Sequence, residues 1–254
     1  MTRPGFIDKG LPAHEGCTGI RRRYPGRNGP QQRFDAADTD RMDMLGLVRA
    51  PLGRLLLPVG RRLADAGVSP DVITVVGTVG VSAGALAFYP RGSFLVGTLV
   101  ITLFVFSDML DGAVARARGG PDSPWGAFLD SSLDRVADAA IFGAVALWYA
   151  GRGDDLLLCG LALYCLVSGL LTSYVKARAE GLGLRCDVGI AERSERLIVI
   201  LAGCGLSGIF GLPLIRVVAL WLLAVASTVT VAQRLVTVRR QATEAAAAAA
   251  VGPR

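Results

Sequence analysis

Four aspartates set in otherwise apolar stretches are the residues of this chain best placed to do chemistry. Asp108 and Asp111 are three apart, and Asp130 and Asp134 are four apart. On helices, each pair projects from a single face. A carboxylate inside a membrane segment costs about 2.5–3.5 kcal/mol on insertion scales, so it marks a site by default. Four hard oxygen donors on two adjoining helices suit a hard divalent cation, with Mg²⁺ first and Mn²⁺ second. Wheel arithmetic puts Asp108, Asp111, Gly112 and Ala115 within about 100° of one another, and Gly126, Asp130 and Asp134 within about 80°. Gly112, Ala115 and Gly126 leave room between the helices. Arg116, at the edge, has the fork geometry for phosphate. Carboxylates for metal, a guanidinium for phosphate and glycines for space together suggest phosphoryl transfer at a membrane surface.

The elements that must hold these groups follow from composition. Of the 254 residues, 52% are hydrophobic, and the mean hydropathy of +0.48 is too high for an ordinary soluble domain. An all-α integral membrane protein is expected. Six apolar segments can be drawn: about 71–89, 93–117, 126–150, 156–179, 196–210 and 214–236, separated by Gly- and Pro-rich turns. Ahead of them, residues 43–66 alternate leucines and valines with Arg49, Arg54, Arg61 and Arg62. Pro51 and Pro58 interrupt the stretch, which reads as an amphipathic helix lying in the interface. Residues 1–42 are expected to be a disordered tail with no signal-peptide pattern, and Met42 or Met44 is a candidate start. Residues 43–240 form the membrane domain, and 241–254 are a low-complexity tail that extends the last helix and frays.

The net charge of +6 does not call for nucleic acid, because basic residues at the ends of spans explain it. They cluster on one side (Arg61, Arg62, Arg116, Arg118, Lys176, Arg178 and others), against Arg91, Arg152 and Arg216 on the other. That asymmetry places both termini and the aspartates on the cytoplasmic side. The single histidine, His14, lies in the tail, so any base must be a carboxylate, a lysine or water. Five cysteines without a CxxC pair read as small apolar fillers.

The pattern D-x2-D-G-x2-A-R-x9-G-x3-D-x3-D from Asp108 to Asp134 resembles the signature of the CDP-alcohol phosphotransferases, with every fixed position filled. The resemblance implies six transmembrane helices after an interfacial helix, a homodimer, and a CDP-linked lipid bound through two divalent metals. Asp108, Asp111 and Asp130 would hold the metals. Asp134 would touch one of them and serve as base on the incoming alcohol. Ser69, Pro70, Asp71, Val72, Gly112, Arg116 and Ser123 (or its neighbour Asp122) would contact CDP-diacylglycerol. Ser69–Pro70–Asp71 also reads as a plain helix start, and a helix N-terminus is itself an anion site.

The segments SPDVITVVGT, SDMLDGAVARARGG, SYVKARAEGLGLR and ERSERLIVILAG are similar to the actinobacterial phosphatidylinositol phosphate synthases of that family. The similarity implies transfer of a phosphatidyl group to an inositol phosphate with release of CMP. It also implies a basic acceptor pocket of Ser173, Lys176, Arg196 and Arg234. Arg178 and Arg193 are read as interfacial charges, with Glu180, Glu192 and Glu195 as the partners of the basic residues around them. Asp138, one turn beyond Asp134, is set to orient Arg135. Glycerol 3-phosphate and free inositol are the competing acceptors, the first of which would make the chain a phosphatidylglycerophosphate synthase. A cation-coupled transporter is the reading from another class, but Gly112, Ala115, Arg116 and Gly126 at fixed offsets have no transport explanation.

Overall fold

The structure, a computed structural model, describes residue 62 and residues 67–117 and 123–251, with side chains over 67–106 and 123–247. All belong to the unit Leu45–Arg254. The expected tail 1–42 and, apart from Arg62, the expected interfacial helix lie outside the described residues. Among the described residues every long element is a helix: α1 Pro70–Phe88, α2 Phe94–Ala117, α3 Pro124–Ala150, α4 Leu156–Gly181, α5 Arg193–Phe210 and α6 Pro213–Val251. A 3₁₀ turn, Tyr89–Arg91, follows α1.

Local chemistry sets the ends. Ser69 caps α1, its Oγ accepting from the Val72 N–H, with Pro70 in the first turn. Ser123 and Pro124 repeat the arrangement at α3, the Gly126 N–H donating to Ser123 Oγ at 2.9 Å. A capping hydroxyl satisfies one of the orphan donors of the first turn, and proline there loses no hydrogen bond. Asp155 caps α4 through the Leu158 N–H. Gly92 turns the chain into α2 at φ +80°, and a Cβ there would stand 2.8 Å from the Trp148 ring. Both the left-handed backbone and the close approach demand glycine.

The strongest packing partners form a closed circuit: α2 on α1, α1 on α3, α3 on α4, α4 on α6, α6 on α5, and α5 back on α2. The interior uses small side chains, with Ala85, Ala144, Ala162, Cys165 and Cys204 fully or almost fully buried beside Ile101, Ile141, Ile200 and Leu220. Small residues let helices approach where lipid removes the usual hydrophobic drive. Interior hydroxyls turn back on their own helices, as Thr172 does to the Ser168 carbonyl and Thr230 to that of Ala226. Cys159, Cys165, Cys186 and Cys204 are free thiols, the last three buried.

Among the described residues three helical stretches are long and apolar enough to cross a membrane: Pro70–Arg91, Leu156–Gly181 and Pro213–Ala247. Their outer faces expose Val79, Leu157, Val167 and Leu222, as lipid contact requires. The described apolar part of α2, Phe94–Phe106, is shorter. The other two helices carry charges, α3 at Asp130, Asp134, Arg135 and Asp138, and α5 at Arg193, Glu195 and Arg196.

The last helix runs past the apolar span that closes near Val236 and continues to Val251. This is the helical extension expected of the alanine-rich stretch, since alanine is the best helix former and Arg240 pairs with Glu244 at 2.9 Å. Arg216 is also more than a boundary charge. It is buried, donating to Tyr149 Oη at 2.9 Å and Ser207 Oγ at 3.0 Å, with its Cζ 3.8 Å from the Phe94 ring centroid. This cluster ties α2, α3, α5 and α6 together at the end of the bundle away from the aspartates.

Candidate active site

The start of α1, the end of α2, the start of α3, the end of α4, the start of α5 and the second half of α6 meet at one end. Asp108, Asp111, Gly112 and Arg116 lie on the last turns of α2, and their side chains are outside the described residues. Asp130 and Asp134 stand one turn apart on α3, Asp130 exposed and Asp134 mostly covered. A Cβ built on Gly126 would stand 3.1 Å from Ser123 Oγ and 3.9 Å from Asp71 Oδ1. The structure therefore brings the predicted lipid-nucleotide residues Ser69–Val72 and Ser123 together beside Gly126. The Ser69 and Ser123 hydroxyls accept cap hydrogen bonds and keep a proton to donate. Among the described residues no three His, Cys, Asp or Glu side chains gather tightly enough to hold a metal. The donor set that is described, hard carboxylate oxygens on one helix face beside a glycine, is of the kind that suits a divalent cation.

The four predicted acceptor-pocket residues also converge here. Ser173 Oγ donates to the Gly169 carbonyl at 3.2 Å. Lys176 Nζ lies 2.8 Å from Asp187 and 3.9 Å from Glu180. That contact holds the Asp187 carboxyl below the usual carboxylate range. Arg196, 2% exposed, donates to Asp138 Oδ2 and to the Ala191 carbonyl, both at 3.3 Å. Its guanidinium lies against Gly169, where a Cβ would come within 3.1–3.3 Å of it. Arg234 donates to the carbonyls of Val188 (2.8 Å) and Thr172 (2.6 Å) and lies 3.9 Å from Glu192. Arg234 thus ties the 182–192 connection to α4 and α6. Thr230 Oγ1 assists by accepting from the Ile190 and Ala191 N–H groups, and Gln241 by pairing with both backbone groups of Arg185.

Two expectations are corrected. Asp138 pairs with Arg193 and Arg196 rather than with Arg135, because both arginines start α5 and reach across to α3. Arg193 is no interfacial charge. Its Nη2 lies 2.8 Å from Asp134 Oδ1 and its Nε 3.6 Å from Asp138 Oδ1, the second an ionic contact too long for a hydrogen bond. The signal was present as a third acid at the same four-residue step after Asp130 and Asp134, opposite arginines three apart. Buried nitrogens of Arg135 (Nη1), Arg193 (Nε) and Arg196 (Nε) have no hydrogen-bond partner among the described residues. Guanidinium N–H groups left over beside a carboxylate are what an incoming anion would satisfy. A cleft lined by Gly77, Val81, Phe104, Ala137, Ile141 and Leu197 ends on the Asp134–Arg193 pair, so this pair has an apolar wall behind it.

The chain is similar to known proteins over most of its length. Residues 67–232 match the CDP-alcohol phosphatidyltransferase family. The chain is 56% identical over 208 residues to a phosphatidylinositol phosphate synthase of Streptomyces avermitilis, covering 80% of this chain and 85% of that one. It is 47% identical over 194 residues to the synthase of Mycobacterium marinum (76% and 82% covered). The crystal structure of the Mycobacterium tuberculosis phosphatidylinositol phosphate synthase with CDP-DAG bound superposes with a TM-score of 0.70 at 46% identity, over 73% of this chain and 94% of that one. The same enzyme in complex with manganese and citrate gives 0.69 over 72% and 88%. The chain is a membrane transferase, and it belongs to the CDP-alcohol phosphatidyltransferase family.

Proposed function

We propose that this chain is a phosphatidylinositol phosphate synthase, transferring the phosphatidyl group of CDP-diacylglycerol to 1D-myo-inositol 3-phosphate and releasing CMP. The observation that carries the reading is the gathering of Lys176, Arg196 and Arg234 at the end of the bundle that holds Asp134. An acceptor that already bears a phosphate dianion needs such cations beside the base that takes its hydroxyl proton. The names of the relatives at 45–56% identity support the same acceptor.

Two divalent cations, Mg²⁺ or alternatively Mn²⁺, held by Asp108, Asp111, Asp130 and Asp134, would neutralise the diphosphate and the departing CMP. The manganese complex of the relative supports a divalent ion. This chain's residues do the rest. Arg116, Gly112, Ser123 and the Ser69–Val72 turn hold the CDP moiety, while its acyl chains stay in the bilayer. Ser173, Lys176, Arg196 and Arg234 hold the acceptor phosphate, and Asp134 takes the proton of the attacking inositol hydroxyl. The hydroxyl oxygen bonds to the lipid-bearing phosphorus as that phosphorus parts from the CMP oxygen. All six helices cross the plasma membrane in this reading, with both termini and the site on the cytoplasmic face. Two copies form the working dimer.

The test supplies the purified protein with CDP-diacylglycerol, Mg²⁺ and one acceptor at a time, following CMP. Inositol phosphate should be used far faster than glycerol 3-phosphate or free inositol. Preference for glycerol 3-phosphate would reassign the acceptor, and CMP release with none of the three would end the reading.

A further inference from the structure

Three acids follow one another on α3 at four-residue steps, and the proposed reaction uses only the first two. The third, Asp138, is 6% exposed, and each of its carboxylate oxygens faces a different arginine. Oδ2 accepts from Arg196 Nη2 at 3.3 Å, and Oδ1 stands 3.6 Å from Arg193 Nε. Arg193 in turn holds Asp134 Oδ1 at 2.8 Å through Nη2. The result is one line of alternating charge: Asp134, Arg193, Asp138, Arg196. It runs between α3 and α5, which are not among the strongly packed helix pairs. Side chains rather than backbone packing therefore set the spacing between these two helices at the site.

We propose that Asp138 is a positioning residue that fixes the distance between the base, Asp134, and the phosphate-holding guanidinium of Arg196. The inference rests on the acceptor assignment above. A phosphorylated polyol offers two handles, its phosphate and one hydroxyl, separated by a fixed number of bonds. A site that discriminates such a molecule must hold cation and base at a matching separation, to within a fraction of an ångström. Neither arginine supplies that alone. Arg196 is buried beside Gly169, and without Asp138 its charge would lack a carboxylate partner and turn toward Asp134 or Glu192. Arg193 would keep Asp134 but lose the anchor that aims it. Asp138 is buried and both its oxygens face arginines, so it acts through them.

The experiment measures steady-state kinetics of Asp138→Asn, Arg196→Gln and the double variant, with Mn²⁺ binding read separately by electron paramagnetic resonance. In Asp138→Asn, KM for inositol phosphate should rise about tenfold or more, while KM for CDP-diacylglycerol and Mn²⁺ affinity stay within about twofold. The double variant should raise acceptor KM by clearly less than the product of the two single effects, since the two residues share a contact. Equal loss in both substrates, parallel loss of Mn²⁺ affinity, or additive effects would overturn the proposal. If Asp138→Asn does not fold, Asp138→Glu keeps the charge and shifts it by one methylene. A raised acceptor KM in that variant supports positioning, and an unchanged one overturns it. Failure of the acceptor assignment itself would show in the wild-type enzyme as indifference to the acceptor's phosphate, whatever Asp138 does.

Discussion

Replacing Arg216 should cost the protein stability without touching its chemistry. Arg216 is 5% exposed, and its guanidinium donates to Tyr149 and Ser207 and stacks on Phe94 at 3.8 Å. Among the described residues no carboxylate pairs with it, so these contacts are its compensation. Hydrogen bonds involving a charged group are worth about 1.5–3 kcal/mol each, which gives about 3–6 for the two. A desolvated cation–π contact adds about 2 kcal/mol. Against this stands the cost of burying the charge, several kcal/mol, which Arg216→Ala recovers. The net loss should be about 3 kcal/mol, or about 6–12 °C in melting temperature for a chain of this size. Tryptophan fluorescence reads it directly, because Trp148 lies at the edge of the cluster, 5.9 Å from the guanidinium. Arg216→Lys keeps the charge but not the fork, and should lose about half as much. Specific activity well below the melting point should match the wild type. A melting temperature within about 2 °C of wild type in Arg216→Ala would refute the assignment of these contacts as stabilising.

Other outcomes follow from the same structure. Asp134→Asn should abolish CMP release, by at least about a hundredfold, yet leave binding of CDP-diacylglycerol largely intact; retained turnover would dismiss Asp134 as the base. In Gly169→Ala the new methyl would press on the Arg196 guanidinium at 3.1–3.3 Å, so KM for inositol phosphate should rise a few-fold and that for the lipid donor should not. An unchanged acceptor KM would mean that Arg196 does not hold the acceptor. With Cys17 replaced by serine, a membrane-impermeant maleimide added outside intact cells should label Arg152→Cys and not Arg185→Cys. The reverse labelling would invert the proposed orientation.

What the sequence made legible was mostly local. Ser69–Pro70 and Ser123–Pro124 announce helix starts because a cap and a proline act within one turn, and both helices begin there. The expected apolar segments fall within a few residues of the helices, and past the close of the last one the alanine-rich stretch extends α6 as its helix propensity implies. The pairings that join Asp138 to Arg196, 58 residues apart, and Arg234 to Thr172, 62 apart, had no local signature. Positive charges near a membrane face look alike in sequence, whether they meet lipid or a carboxylate. Only packing separates Arg178, exposed on α4, from Arg193, locked onto Asp134. Arg216 was hidden for the same reason, since its aromatic partners come from other helices.

The central claim is that carboxylates from α2 and α3 jointly grip divalent cations against a nucleotide diphosphate. An experimental density map of the protein soaked with Mn²⁺ and CDP-diacylglycerol, with manganese located by its anomalous signal, tests it most directly. Peaks within coordination distance of Asp108, Asp111, Asp130 and Asp134, bridged to the diphosphate, are the expected result. Bound nucleotide with no manganese among those four carboxylates would contradict the account.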